Sequence, residues 1–174
     1  MQHTKTLSPE KFIRNMLLCF GAPTIAGIKS STLLNFRRAS DEDMRSLWLE
    51  HADEWLIPLN VRWLLLNTEG RNALVMIYRK ELLSRALCCE EACSILKEYG
   101  YPLRDVDACL ECLRVKFCTG FPHEIGLFLD YPPEDVRGFL ENRQAKKLSC
   151  PCYWKVYGCE EEALRRARKY KRAE

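Results

Sequence analysis

The stretch FPHEIGLFLDYPPEDVRGFL, residues 121–140, organises the rest of the chain, because it predicts two short helices that are each opened by proline. Pro122 is expected to begin the first helix, with His123 and Glu124 in its first turn. The stretch Tyr131-Pro132-Pro133 is expected to end that helix and to start the second, whose first turn carries two acids that suit the positive end of a helix. The preceding residues are expected to form the body on which this helical pair packs.

Length and charge limit the classes of protein to which the chain can belong. Its 174 residues are expected to form one domain, residues 1–174, with a closing strand and helix at 152–172. The net charge of +3 is too small to indicate binding to nucleic acid or to an anionic membrane. No apolar run approaches the roughly 20 residues that span a bilayer, and the N-terminus lacks the basic-then-apolar order of a signal peptide. A cytoplasmic location is therefore expected.

Short apolar runs and helical stripes alternate along the chain, which predicts an α+β fold. Residues 61–67 and Ala73–Tyr78 are expected to form a hairpin, because a glycine-containing loop joins them. Ser31–Phe36 is expected to add a third strand, and the alternating YWKVY at 153–157 a fourth that returns to the sheet. We therefore predict a small, mostly antiparallel sheet of about four strands packed with several helices.

Residues 22–29, APTIAGIK, mix small and apolar residues without a helical pattern and are expected to form a loop. Small residues let a ligand approach the backbone closely, although the same loop also fits a tight packing corner. Our leading hypothesis is a non-catalytic domain that binds a small molecule or a protein partner between this loop and the helix at His123, whose N–H groups favour anions. The candidate ligand-binding residues are Pro23, Thr24, Gly27, His123, Glu124 and Tyr131.

His123 and Glu124 also support a second hypothesis, in which the protein is an enzyme. Histidine is the usual proton-transfer residue near neutral pH, and the chain has only three histidines. His123 would act as a general acid or base, with Glu124 orienting it or the substrate. The same pair is an ordinary way to begin a helix, and the sequence has no phosphate-binding glycine loop, nucleophile elbow or dinucleotide fingerprint.

Ten cysteines leave a third hypothesis open. Free cysteine packs as a small apolar residue, which is the simplest account of many thiols in a chain without a secretion signal. A metal or redox sensor would instead use Cys109 and Cys112, three residues apart on an expected helix, together with Cys150 and Cys152. Zinc or iron would be the cofactor of such a site, whereas the other two hypotheses require none.

Three segments of the chain share a distinctive pattern: GAPTIAGIK at 21–29, FPHEIGLFLDYPPEDVRGF at 121–139 and YWKVY at 153–157. Together they resemble DUF3793, a family of small bacterial proteins of unknown function. The resemblance implies a bacterial cytoplasmic protein with reduced thiols, and it implies no activity, cofactor or catalytic residue. It also implies a shared pattern at Pro23, Gly27, His123, Glu124, Gly126, Tyr131 and Trp154.

Overall fold

A three-stranded antiparallel sheet with helices on both faces forms the centre of the protein. The computed structural model describes residues 8–37, 43–67, 70–146 and 152–173. The strands are β1 (Ser31–Phe36), β2 (Arg62–Leu65) and β3 (Ala73–Tyr78). The helices of the described residues are α1 (Pro9–Phe20), α2 (Ala22–Ile25), α3 (Met44–Leu56), α4 (Lys80–Leu87), α5 (Glu90–Glu98), α6 (Val106–Phe117), α7 (Ile125–Phe128), α8 (Pro133–Leu140) and α9 (Glu160–Lys171). The α+β class predicted from the sequence is confirmed.

The central strand of the sheet is β3, which pairs antiparallel with both neighbours in the order β1–β3–β2. The predicted hairpin is present, with Arg62 opposite Tyr78 and Leu65 opposite Val75. On the other side of β3, Ser31 of β1 also lies opposite Tyr78. Within the part of the chain that the structure describes, β1 and β2 are therefore the two edge strands of the sheet.

Each face of the sheet is covered by its own set of helices, because side chains alternate between the two faces along every strand. On one face, Val75 and Ile77 of β3 pack with Ile13 of α1 and Trp48 of α3. On the other face, Met76 packs in a cluster formed by α4 to α8. Burying each such large apolar side chain contributes about 1.5–3 kcal/mol, so the two cores hold the sheet from both sides.

Side-chain caps begin the helices α1 and α3. Ser8 caps α1, where its hydroxyl oxygen accepts a hydrogen bond from the Lys11 N–H at 3.3 Å. Asp43 caps α3 by accepting hydrogen bonds from two N–H groups of the first turn. The sequence predicts the start of this helix at Ser40, which lies outside the described residues. None of the described helices is both long enough and apolar enough to cross a membrane.

The predicted fourth strand at 153–157 is not confirmed, because this segment pairs with no strand among the described residues. Its backbone instead runs beside the first turn of α8. One oxygen of the Asp135 carboxylate accepts hydrogen bonds from the N–H groups of Tyr157 at 2.6 Å and Gly158 at 2.7 Å. These N–H groups therefore donate to the buried Asp135 carboxylate and not to the carbonyl groups of a neighbouring strand.

The segment 22–29 also differs from its prediction, because its first half is the short helix α2 and not a loop. The side chain of Arg79 holds the end of α2: its Nε donates to the Thr24 carbonyl at 2.8 Å and its Nη2 donates to the Ile25 carbonyl. These carbonyls lie in the last turn of the helix and have no partners within it. The guanidinium group of Arg79, the residue that follows β3, therefore stabilises α2, which is too short to form alone.

Residues 122–124 form turns before α7 instead of the first turn of the predicted helix. The Ile125 N–H donates to the Pro122 carbonyl at 3.1 Å, and the Leu127 N–H donates to the Glu124 carbonyl at 3.0 Å. Both bonds join residues three apart, which is the tighter 3₁₀ spacing and not that of an α-helix. As a result α7 has only four residues.

Candidate ligand-binding groove

The outer edge of β1 carries backbone groups that have no hydrogen-bond partner among the described residues. The Arg79 N–H donates to the Ser30 carbonyl at 2.9 Å. Because bonded pairs alternate along an antiparallel ladder, every second residue of β1 from Thr32 onward bonds to β3. The N–H and C=O groups of Leu33 and the N–H of Asn35 therefore point away from the sheet, where nothing in the described part of the chain bonds to them.

A turn at residues 128–131 covers the beginning of this edge. The Ser31 hydroxyl donates to the Phe128 carbonyl, and the Ser30 N–H donates to the Asp130 carboxylate at 3.4 Å. Asp130 has φ of +66°, a left-handed conformation that aspartate tolerates better than most residues. The free part of the β1 edge begins beyond this turn.

A cavity of about 410 Å³ lies across the free edge. Its lining comprises residues 32–35 of β1, Met16 and Phe20 of α1, Pro23 of α2, and Lys29, Leu129, Tyr131, Tyr153 and Tyr170. Met16 packs against the core on one face of the sheet, whereas Leu129 and Tyr131 pack with the core on the other face. The cavity therefore spans the edge of the sheet from one face to the other.

A second cavity of about 340 Å³ continues from the first, since Leu33, Leu129 and Tyr131 line both. It extends past the aromatic rings of Phe121 and Trp154. We call the two cavities together the edge groove. Their lining is largely apolar, as is typical of ligand sites.

Three strongly exposed aromatic side chains line the edge groove: Phe20, Phe121 and Tyr153, which are 51%, 54% and 45% exposed. The other large apolar side chains with comparable exposure among the described residues are aliphatic, and they lie outside the groove. Exposed apolar side chains that are scattered singly are normal, but aromatic residues gathered in one concave surface indicate a binding site.

The charged side chains of the groove lining give it a positive bias. The Nζ atom of Lys29 lies 5.9 Å from the centre of the Tyr131 ring and 5.4 Å from that of Tyr170. Lys155 is exposed at the other end. Among the described residues that line the groove, the one carboxylate is that of Asp135, which is 2% exposed and already accepts three hydrogen bonds. The other charged side chains of this described lining are Lys29 and Lys155.

One wall of the groove is fixed by contacts between α9 and the turn at 128–131. The Tyr170 hydroxyl donates to the Asp130 carboxylate at 2.9 Å, and Nη1 of Arg166 lies 3.8 Å from the other oxygen of that carboxylate. Burial and the negative charge of Asp130 raise the pKa of Tyr170 above its ordinary value. Tyr170 therefore remains a hydrogen-bond donor at neutral pH and keeps α9 against the turn.

The predicted ligand-binding residues occupy different places in the structure. Pro23, His123 and Tyr131 line the edge groove. Thr24 is fully buried, and its hydroxyl lies 2.9 Å from that of a threonine in β1. Gly27 follows α2 with φ of +71°, a conformation that favours glycine. Thr24 and Gly27 shape the corner at α2 and are not part of the groove lining.

Glu124 points into the protein and is only 3% exposed. Its Oε1 accepts a hydrogen bond from the Tyr101 hydroxyl at 3.0 Å and lies 3.4 Å from Nζ of Lys116. Burial, together with the Glu124 charge, raises the pKa of Tyr101 above its ordinary value. The Glu124 carboxylate is thus held by two partners beneath the surface.

His123 is exposed, and its ring lies between two phenylalanines, with ring centres 5.8 Å from Phe121 and 5.2 Å from Phe139. It lines one end of the edge groove and also, with Glu124, a neighbouring cavity of about 490 Å³ that shares Phe121 and Phe139 with the groove. No hydrogen bond or ion pair joins the two side chains in the described part of the chain. The His123 ring is thus open to solvent, and Glu124 does not orient it.

The predicted metal ligands are only partly within the described residues, because Cys150 lies outside them. Cys109 is buried, with its Sγ 3.2 Å from the Pro102 carbonyl, and Cys112 lies on the same helix. Cys152 lies against α9. Among the described residues, no group of three or more His, Cys, Asp or Glu is placed to hold a metal ion. Burial raises the pKa of Cys109 from 9.0 to about 11, which keeps it a thiol at neutral pH.

Sequence reasoning missed the strand edge and the groove residues on α1 and α9, notably Phe20, Leu33 and Tyr170. The sequence does place Phe20 at the end of the apolar stripe of α1, immediately before Gly21. This position at the end of the stripe is the one sequence feature that indicates an exposed Phe20, since a residue at the end of an apolar stripe can lie outside the core. Which strand becomes an edge depends on contacts between distant segments, and no local pattern reports it.

The sequence pattern of the family described as "Protein of unknown function (DUF3793)" matches residues 17–174. No curated protein and no solved structure matches the chain.

Proposed function

We propose that this chain, which belongs to the DUF3793 family of proteins of unknown function, is a non-catalytic binding domain of the bacterial cytoplasm. Its ligand, a small molecule or a protein partner, occupies the edge groove. The observation that carries the proposal is the grouping of Phe20, Phe121 and Tyr153, three exposed aromatic residues, along a strand edge with unpaired backbone groups. Covering this surface removes apolar area from water, which favours association.

Thiol chemistry supports the location that we propose. Cys152 apart, the eight other cysteines among the described residues are free thiols. Free thiols in this number suit a compartment kept reducing by small thiols. The bacterial assignment follows the sequence resemblance described above.

The two other hypotheses have no comparable observation in their favour. In the enzyme hypothesis Glu124 orients His123 or the substrate, whereas its carboxylate is buried and contacts Tyr101 and Lys116. In the sensor hypothesis Cys109 reacts or binds as a thiolate, whereas its raised pKa disfavours that form. The edge groove is therefore the site that the geometry supports best.

A pair of variants on α1 tests the proposal. Phe20 lines the groove, whereas Leu18 of the same helix is 67% exposed and lies outside it. Fluorine NMR with a library of fluorinated aromatic fragments should detect fragments that bind the wild-type protein. Phe20→Asp should weaken their binding about tenfold or more, because it removes apolar contact and places a charge in the groove. Leu18→Asp should leave binding unchanged. Absence of binding, or equal binding by the two variants, would contradict the proposal.

A further inference from the structure

We propose that the occupant of the edge groove is an extended peptide segment of a partner protein, which adds to β1 as a fourth strand. This inference rests on the proposed function of the groove and specifies its ligand. Addition of a strand to an exposed sheet edge is a recurring mode of peptide recognition, in which main-chain hydrogen bonds supply affinity and side-chain pockets supply specificity.

The unpaired backbone groups distinguish a peptide from an apolar small molecule. The N–H and C=O of Leu33 and the N–H of Asn35 face the first cavity of the groove. A purely apolar ligand would cover these groups without replacing the water that solvates them, which is costly. An extended peptide offers a C=O and an N–H at the spacing of the strand itself and satisfies all three groups.

The shape of the groove fits the side chains of an added strand. Successive residues of a strand point to opposite faces of its sheet. The first cavity spans both faces at the β1 edge, with Met16 and Phe20 from α1 on one and Leu129 and Tyr131 on the other. An added strand would therefore place apolar side chains alternately against α1 and against the turn at 128–131.

Charge adds a further property to the peptide. Lys29 and Lys155 lie at the groove, whereas the carboxylate of Asp135 is buried and occupied by its own hydrogen bonds. Acidic residues beside the apolar ones would gain favourable electrostatic interactions, and basic residues would be disfavoured. We therefore specify the partner as an apolar segment flanked by at least one acidic residue.

A partner peptide fits the groove better than a second copy of this chain. The turn at 128–131 covers the start of β1, so that the free edge is short. Residues of α1, α2 and α9 wall the groove. A single extended chain can enter between such walls, whereas the edge of another folded sheet would have to bring its own flanking helices with it.

Asn35 offers a variant that removes one edge donor while sparing the sheet. It is exposed, and its N–H points away from β3. Proline is tolerated at such a position of an edge strand, because no ladder hydrogen bond is lost. Asn35→Pro removes the donor and places a ring where the peptide would lie, whereas Asn35→Ala keeps the donor and serves as the matched control.

The experiment selects peptides from a displayed library of random dodecapeptides on the wild-type protein, and measures the binding of synthetic copies by calorimetry. Enriched peptides should carry apolar residues with an acidic neighbour. Asn35→Pro should weaken their binding about tenfold or more, and Asn35→Ala less than about twofold. If Asn35→Pro does not fold, copies with alternate backbone nitrogens methylated test the complementary hydrogen bond, from a peptide N–H to the Leu33 C=O, on the wild-type protein and should bind equally poorly.

Each other outcome overturns strand addition. The β1 edge is not used if the peptides bind Asn35→Pro as tightly as Asn35→Ala and if the methylated peptides bind the wild-type protein as tightly as the unmethylated ones. Failure to enrich any peptide, or a dimer of this chain that dissociates in Asn35→Pro, would exclude a peptide as the occupant. Gain of peptide binding only after deletion of residues 1–7 would show that the chain fills its own groove. The fragment experiment with Phe20→Asp and Leu18→Asp then decides separately whether the groove binds a ligand at all.

Discussion

The indole nitrogen of Trp154 donates a hydrogen bond to the Asp135 carboxylate at 2.7 Å. The same carboxylate accepts two backbone N–H groups from the segment that follows, and the Trp154 ring stacks on Tyr131 at 4.8 Å between ring centres. A single buried acid thus ties α8 to the segment at 153–158 and holds in place one side of the edge groove.

Asp135→Asn should lower the free energy of unfolding by about 2–4 kcal/mol. Both carboxylate oxygens of Asp135 accept N–H donors, and the NH₂ group of an asparagine would face one of these donors without being able to accept its hydrogen bond. Asp107→Asn is the control: Asp107 is exposed and paired with Lys80, and its loss should cost less than about 1 kcal/mol. Urea denaturation followed by tryptophan fluorescence measures both. Equal stability of the two variants would show that the carboxylate does not hold this segment.

Gly138→Ala should destabilise the protein by about 1–3 kcal/mol, although alanine normally favours a helix over glycine. A Cβ on Gly138 would lie 2.5 Å from Cβ and Cγ of Tyr157, so the segment packed on α8 would have to move. Gly120→Ala is the control, since a Cβ there meets no atom within 4 Å. Thermal denaturation of the two variants compares them, and a stabilised Gly138→Ala would contradict this packing.

Glu124→Ala should cost about 2–4 kcal/mol of stability, because it leaves the Tyr101 hydroxyl and the Lys116 ammonium without their acceptor. His123→Ala, one residue away and exposed, should cost less than about 1 kcal/mol. Urea denaturation distinguishes the two. A large decrease in the free energy of unfolding of His123→Ala would assign that histidine a structural role. An unchanged free energy of unfolding in Glu124→Ala would show that the Glu124 carboxylate is not needed for folding, which would favour the enzyme hypothesis.

Stability should fall at alkaline pH. The pKa of Cys109 is raised by burial to about 11, and burial also raises the pKa values of Tyr101 and Tyr170. Above about pH 9 the unfolded chain releases protons that the folded chain retains, so the free energy of unfolding decreases as pH rises toward about 11. Urea denaturation between about pH 8 and pH 10.5 measures this decrease. Cys109→Ala should show a shallower decrease, and an identical slope would argue against the raised pKa.

Local patterns predicted much of this fold. The cap at Ser8 and the short apolar runs of β2 and β3 act within a few residues, so the sequence reports them directly. The segment at 153–157 has an equally good strand pattern. It is not a strand because Asp135, about twenty residues earlier, supplies hydrogen-bond acceptors that compete with a sheet.

The candidate site was less predictable, because it is assembled from distant parts of the chain. Pro23, His123 and Tyr131 were predicted, and they do line the edge groove. Leu33 and Phe20 were not predicted to line the site. An apolar residue on a strand or at a helix end is assigned to the core as long as the strand order is unknown. Only the three-dimensional contacts show that β1 is an edge strand.

The most direct test of the open β1 edge is amide hydrogen exchange at two adjacent residues in the ligand-free protein. The Leu34 N–H bonds to β3, whereas the Leu33 N–H faces the groove. NMR should find that the Leu33 amide exchanges about a hundredfold or more faster than the Leu34 amide. Equal protection of the two would show that another segment or a second copy already covers the edge, which would contradict the groove as the binding site.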